Sequence, residues 1–174
     1  MSKPLLVNAA ELLRRPGSDR PLDVHVLLAD LGIEDDERFA ADAEVEVQLR
    51  LEALSDGIVV DGRLRAPWHG ICRRCLVDTG GISESEVHEL YQRTLTDPEA
   101  FEIIGDQLDL APVVRELVLL DAPANPVCRL DCEGLCPTCG KNLNEGRCEC
   151  TRVGDDPRWS ALDQLKDLPE PGGR

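Results

Sequence analysis

Aromatic residues are nearly missing from this 174-residue chain: two Trp, two Phe and one Tyr make up 3% of it, with a single Met beside them. Any core must be built from Val, Leu, Ile and Ala, which bury less area per residue, so cross-links would add usefully to its stability. Bases are also scarce. Nineteen Lys and Arg face 34 Asp and Glu, a formal net charge of -15. Phosphate backbones repel such a surface, which counts against a general nucleic-acid binder. No apolar run approaches the length of a membrane span, so no membrane partner is expected. No apolar signal segment opens the chain, and a cytoplasmic location with reduced thiols is the expectation. A Gly-rich phosphate loop and a nucleophile elbow are both lacking. The three histidines, His25, His69 and His88, are scattered, and nothing pairs the many carboxylates. The expectation is a protein that is not an enzyme and takes no small-molecule substrate.

What is present in quantity, for a chain of this kind, is cysteine. Six of the eight lie between Cys128 and Cys150, and Cys72 and Cys75 form a separate C-x-x-C upstream. Eight thiols match two tetrahedral four-thiolate zinc sites. Cys136-Pro137-Thr138-Cys139-Gly140 reads as a zinc knuckle, because Pro137 presets one backbone angle and Gly140 can leave the turn at positive φ. Cys148 and Cys150 would close that site from across a tight return over Lys141 to Arg147. One structural zinc is therefore expected at Cys136, Cys139, Cys148 and Cys150. The second is expected at Cys72, Cys75, Cys128 and Cys132, where it would clamp two distant parts of the chain. Other uses stay open: one zinc with spare thiols, disulfides, or thiol redox at Cys72-Arg73-Arg74-Cys75, where cations favour the thiolate. Cys132 can also exchange roles with a neighbour.

Charge is unevenly distributed. Gly62 to Val77 contains no acid but holds Arg63, Arg65, Arg73, Arg74 and His69, with Trp68 among them. Asp78 to Asp109 holds nine acids and one base, Arg93. The basic stretch is either a row of solvated arginines or a surface for RNA phosphate or an acidic partner. Arg63, Arg65, Trp68, Arg73 and Arg74 are its candidate contacts.

The expected class is α+β: an antiparallel β-meander with a core helix, a C-terminal zinc ribbon and a short terminal helix. Leu5 to Val7 reads as a strand and Ala9 to Arg15 as a brief helix, with Asn8 and Glu11 in a capping box. His25 to Leu28 reads as a strand, on which His25 is a packed or edge residue rather than a ligand. Val45, Val47, Leu49 and Leu51 alternate with Glu44, Glu46, Gln48, Arg50 and Glu52, which predicts a half-buried antiparallel strand. The next strand starts at Ile58, bulges at Asp61-Gly62 and runs on to the first knuckle at the sheet end. The third is broken at Gly80-Gly81, with Ile82, Val87, Leu90 and Tyr91 as an apolar face. Asp109 caps a helix with Pro112 in its first turn and Val113, Val114, Leu117, Val118 and Leu120 as its core face. Asp156 and Pro157 start a last helix, striped by Trp159, Leu162 and Leu165. The expected layout is a β-rich core over 1–127, a cysteine cluster over 128–154 and a helix and tail over 155–174.

These motifs together resemble a known family. The residues are Cys72 to Leu76, Val114 to Pro123, Asp131 to Asn144, Cys148 to Cys150, and the D-P-R-W-S-A-L run from Asp156 to Leu162. In this order they resemble the YceD family, the large ribosomal RNA subunit accumulation proteins. The resemblance is specific from Cys72 to Leu162 and weak before Glu44. It implies a role in accumulating large-subunit ribosomal RNA, with a precursor of the large subunit as partner through ribosomal RNA or a ribosomal protein. Family members that keep the first C-x-x-C but lack the C-P-x-C-G element imply the same grouping of the cysteines into two sites. Two other classes of function compete with an assembly factor: a zinc-ribbon nucleic-acid regulator and a redox-switched chaperone. Against the former, Cys128 to Trp159 carries only five bases beside six acids.

Overall fold

The structure, a computed structural model, describes residues 5–150 and Arg158. The chain runs through β1 (Leu6–Asn8), β2 (Asp19–Leu27), β3 (Glu44–Ala53), β4 (Gly57–Ile71), β5 (Asp78–Gln92), β6 (Phe101–Glu102), β7 (Gln107–Asp109) and α1 (Ala111–Asp121). β2, β3, β4, β5 and β6 form one sheet in that order, and β1 pairs with β7 in a second. The α+β class is therefore as expected. The main sheet is a meander through β5, but β6 joins it in parallel, so the sheet is mixed. The expected terminal helix, with Asp156, Pro157, Trp159, Leu162 and Leu165, lies outside the described residues.

The alternation in β3 sets the layers. Val45, Val47, Leu49 and Leu51 are buried, and their neighbours in β4, Leu64, Val60 and Ile58, point the same way. α1 lays Val113, Val114 and Val118 on this face. Each fully buried Val or Leu contributes about 1.5–3 kcal/mol relative to exposure. With so few aromatics, Tyr91 is the largest fully buried side chain. It stacks on Phe101 with ring centroids 5.2 Å apart, and its hydroxyl donates to the Asp109 carbonyl. The aromatic pair thus ties the sheet to the entry of α1.

Several local expectations are corrected. The Ala9–Arg15 helix is a single 3-10 turn, Leu12–Arg14, although Asn8 does accept from the Ala10 N–H. Seven residues before Pro16 are too few to propagate an α-helix beyond its costly first turn. There is no bulge at Asp61-Gly62: pairing with β3 is continuous, and Gly62 is there because a Cβ would lie 2.1 Å from the Gln48 carbonyl oxygen. There is no break at Gly80-Gly81 either. β5 pairs with β4 over all fifteen of its residues, and Gly81 leaves the space that the Trp68 indole fills. Ile82 points outward with 55% exposure, and Ser83, Ser85 and Val87 face in. Leu120 is 70% exposed, because the buried stripe of α1 ends at Val118. Asp109 accepts from the Ala111 N–H as expected of a capping residue, one position before Leu110 at the cap.

β4 and β5 outrun β3. Beyond Arg65 they continue as a two-stranded ribbon, and the first C-x-x-C is the turn at its tip. The ribbon is held back against the body by the His69 N–H, which donates to the Arg38 carbonyl at 2.8 Å. The Arg38 guanidinium pairs with Asp36 and donates to the Leu119 and Ala122 carbonyls at the end of α1. One arginine thus satisfies the open carbonyl end of the core helix and carries the ribbon on its own backbone.

Candidate metal centres

The knuckle at the ribbon tip forms because β4 and β5 must reverse within Cys72 to Val77. The Leu76 N–H donates to the Cys72 carbonyl and the Cys72 N–H to the Val77 carbonyl. This turn needs a left-handed residue after the second cysteine, and Leu76 takes φ +60° there. In the second knuckle the Gly140 N–H donates to the Cys136 carbonyl and Gly140 takes φ +72°. The two turns share one geometry, with a leucine in one and a glycine in the other.

After α1 the chain returns to the ribbon tip. The Arg73 N–H donates to the Pro126 carbonyl, and the next residues bring Cys128 and Cys132 beside Cys72 and Cys75. Within this group the Cys75 and Cys128 sulfurs are 3.6 Å apart, and those of Cys72 and Cys132 3.9 Å. Cys136, Cys139, Cys148 and Cys150 make the second group, and in each group all sulfurs lie within 4.8 Å of one another. A tetrahedron with metal–sulfur bonds of about 2.3 Å has edges of about 3.8 Å. The donor sets and spacings fit a closed four-thiolate site in both places, and each can hold a metal ion. All eight cysteines are unbridged.

The electrostatics of both groups ask for a cation. Desolvation opposes ionisation of Cys72, but N–H donors from Cys128, Cys75 and Arg74 outweigh it and bring the thiol to about 6. In the same group desolvation and the thiols of Cys75, Cys132 and Cys72 push Cys128 up to about 12. In the second group the N–H groups of Cys139 and Thr138 lower Cys136 to about 6, while Cys139 and desolvation raise Cys150 to about 12. In the first group desolvation also opposes ionisation of Cys132, but the Asn144 amide and the Gly134 N–H outweigh it and lower that thiol, while Cys75 is raised; each group thus sets thiols that ionise readily beside thiols that do not. A bound dication removes that conflict.

The groups differ in setting. Cys72, Cys75 and Cys132 are buried, and Val127 and Leu135 pack around them. In the second group only Cys136 is buried. Strands of a ribbon fold are absent among the described residues from Cys128 to Cys150, where one bridge, Leu135 to Asn142, and a 3-10 turn, Leu143–Glu145, are found instead. Cys148 and Cys150 complete the second group without a hairpin of strands.

Two residues join the groups. The Arg74 carbonyl accepts from the Leu135 N–H, and its guanidinium donates to the Leu130 and Cys132 carbonyls. Asn144, from the loop of the second group, donates through Nδ2 to the Cys132 sulfur of the first at 3.4 Å. Its Oδ1 accepts from the Arg129 side chain and the Glu133 N–H. Sequence reasoning read Asn144 only as a turn residue.

The candidate contact residues do not form one island. Arg65 lies between Glu46 and Glu84, at 3.5 and 2.9 Å, and Arg63 donates to Gln48. These pairs follow from register: His25, Glu46, Arg65 and Glu84 form one row across four strands, and Asp23, Gln48, Arg63 and Glu86 the next. Trp68 faces the core side, half-buried over Gly81. Arg74 is occupied as described. Of the four candidate arginines, Arg73 is the one whose side chain makes no hydrogen bond or ion pair among the described residues.

Comparison with known proteins places these features in a family. Residues 60–166 match the family described as Large ribosomal RNA subunit accumulation protein YceD. An uncharacterized protein of Mycobacterium tuberculosis is 34% identical over 176 residues, covering 95% of this chain and 83% of that protein. A protein of Bacillus subtilis, YlbN, is 27% identical over 122 residues, 67% of this chain and 69% of that one. The Arabidopsis thaliana protein named Large ribosomal RNA subunit accumulation protein YCED homolog 1, chloroplastic, is 33% identical over 61 residues, 35% of this chain and 19% of that protein. No solved structure matches the chain.

Proposed function

The chain belongs to the YceD family, and from that membership we propose that it is a non-catalytic accessory factor in the biogenesis of the large ribosomal subunit. The family name carries the role, accumulation of large-subunit ribosomal RNA. The observation that supports this reading is the match over residues 60–166, which spans the ribbon, α1 and both cysteine groups. Its partner is a precursor of the large subunit. Both groups hold structural zinc: Cys72, Cys75, Cys128 and Cys132 in one, Cys136, Cys139, Cys148 and Cys150 in the other. Four thiolates close each tetrahedron and leave no open position for a reacting water. Zinc neutralises the thiolates; the protein's own part is to hold the ribbon tip, the segment after α1 and the final loop in one register. Among the described residues no helix is long and apolar enough to cross a membrane.

Sedimentation of extract from the native organism tests the role. The protein should travel with large-subunit precursors and leave them at high salt. A protein found only at the top of the gradient would overturn the proposal. Elemental analysis of protein purified without added metal should give two zinc per chain, and a value near zero would remove the structural role of the metal.

A further inference from the structure

We propose that the outer face of the main sheet, continued onto the ribbon tip, docks a cationic protein chain that carries an apolar anchor. The inference rests on the assembly-factor reading and specifies its partner. The face is defined by register. In the four rows where β2, β3, β4 and β5 all pair, it carries seven carboxylates and three guanidiniums. Each guanidinium is engaged within the face: Arg65 by Glu46 and Glu84, Arg50 by Asp19, Arg63 by Gln48. The excess is acidic, and Asp23 and Glu86 are exposed with no ion pair among the described residues.

The same face turns apolar toward the tip. Ile82 and Ile71 point outward from the ribbon, 55% and 58% exposed. At the tip itself, beyond the paired rows, Leu76 is 65% exposed at the turn and Leu130, whose carbonyl Arg74 holds, is 92% exposed. Leu76 stands in the left-handed conformation, which costs a leucine about 1–2 kcal/mol. The knuckle turn requires this conformation but not a leucine, and Leu76 belongs to neither buried cluster. A large apolar side chain held at that cost on the surface is explained by a contact.

Charge decides the occupant. RNA would meet a net acidic face on which only Arg73, at the tip, is an uncompensated arginine. A second copy would set acid against acid. The chain's own residues after Cys150 carry five acids and four bases and offer no cationic match. A basic protein segment fits the carboxylate rows and can place an apolar residue at the tip.

The test uses the full metal-loaded chain, immobilised, with two probes: mixed proteins of purified large subunits freed of RNA, and the protein-free large-subunit RNA. A cationic protein from the first probe should bind, and its affinity should fall about tenfold or more between about 50 and 300 mM salt. Asp23→Lys with Glu86→Lys should weaken it about tenfold, and so should Ile71→Ser with Ile82→Ser. Both variants should keep their zinc and melt within a few degrees of the parent. Leu76→Gly, which relaxes the backbone and removes the anchor, should weaken binding without loss of stability. Binding that all three variants leave unchanged overturns the inference, as does preferential capture of the RNA or salt-insensitive self-association. Improved protein binding in a chain truncated after Cys150 would instead assign the face to the chain's own last residues and overturn it too. The two proposals fail separately. If the outer-face variants still co-sediment with precursors, only this inference falls; if the parent protein does not, the assembly reading falls.

Discussion

Cys72 to Leu76 and Cys136 to Gly140 fold into the same knuckle, yet the two groups they begin close very different lengths of chain. Cys75 meets Cys128 across 53 residues, while Cys139 and Cys148 are nine apart. The first group receives its ligands from a hairpin tip and from the segment behind the core helix, and three of its four cysteines are buried. The second is local and mostly open. With a metal bound, one donor set would therefore act as a tertiary clamp in one place and as a loop staple in the other. The difference lies in topology and not in the ligands.

Removing one ligand from each group is the most severe way to break that comparison. Loop-closure entropy favours the longer loop by roughly 1.5 kcal/mol. Cys75→Ser also leaves buried thiols around an emptied site, which adds to its cost. Each variant should retain about one zinc per chain. Cys75→Ser should melt at least about 3–6 °C below Cys148→Ser. Equal losses, or a larger loss for Cys148→Ser, would contradict the clamp.

The ribbon has a second tie that needs no metal. Arg38→Ala leaves the Leu119 and Ala122 carbonyls without their guanidinium donor and removes the partner of Asp36. Charge-assisted bonds of this kind suggest a loss of about 2–3 kcal/mol, to be read by denaturant melts. The loss should appear in metal-loaded and chelated protein alike, unlike that of Cys75→Ser. The hydrogen bond from Arg38 holds the Asp36 carboxyl below its ordinary 3.8. A folded value below the unfolded one stabilises the protein above pH 3.8 and loses that effect as pH falls through the lower folded value. Asp36→Asn should therefore flatten the acid limb of stability below about pH 4. An unchanged limb would place acid sensitivity elsewhere.

Smaller in effect is the strut between the groups. Asn144→Ala removes a donor to the Cys132 sulfur and the acceptor for Arg129 and Glu133. Outer-shell groups of this kind are worth about 10–100-fold in metal affinity. Chelator competition should show one zinc leaving sooner, and it should be the zinc retained in Cys148→Ser and not the one retained in Cys75→Ser. Faster loss from the second group would reverse the direction of support.

What sequence shows and what it hides divides along the same line. The β3 alternation and the C-x-x-C turns were legible because each is a local pattern whose period or spacing carries the chemistry. The grouping of the thiols, which spacing alone leaves open, followed from the same local turns and from the family resemblance. Gly62 and Gly80-Gly81 misled because a glycine needed for close approach looks like one that interrupts a strand. Arg63 and Arg65 looked like a basic surface because their partners lie on other strands: Glu46 and Glu84 sit nineteen residues to either side of Arg65, and Gln48 fifteen residues before Arg63. Arg38 and Asn144 were hidden for the same reason: each has one neighbour in the chain as a partner, but the bonds that tie elements together, to the Leu119 and Ala122 carbonyls and to the Cys132 sulfur, reach across the fold.

The mildest perturbation exchanges the two knuckle residues. Leu76 and Gly140 occupy equivalent positions, at φ +60° and +72°, each with its N–H bonded to the carbonyl of the first cysteine. Glycine adopts this region freely, whereas a leucine costs about 1–2 kcal/mol there. Glycine also gives the unfolded chain more freedom, which offsets up to about 1 kcal/mol of that relief. Leu76→Gly should thus be neutral or stabilising by up to about 1 kcal/mol, since its exposed side chain packs against no core residue. Gly140→Leu should cost about 1 kcal/mol or less, because nothing lies within 4 Å of its Cβ position and only the backbone term opposes it. Paired thermal melts with zinc counted in each variant read both values. A clear loss of stability in Leu76→Gly would show that Leu76 holds the clamp together from within, and its exposure would then no longer need a partner to explain it.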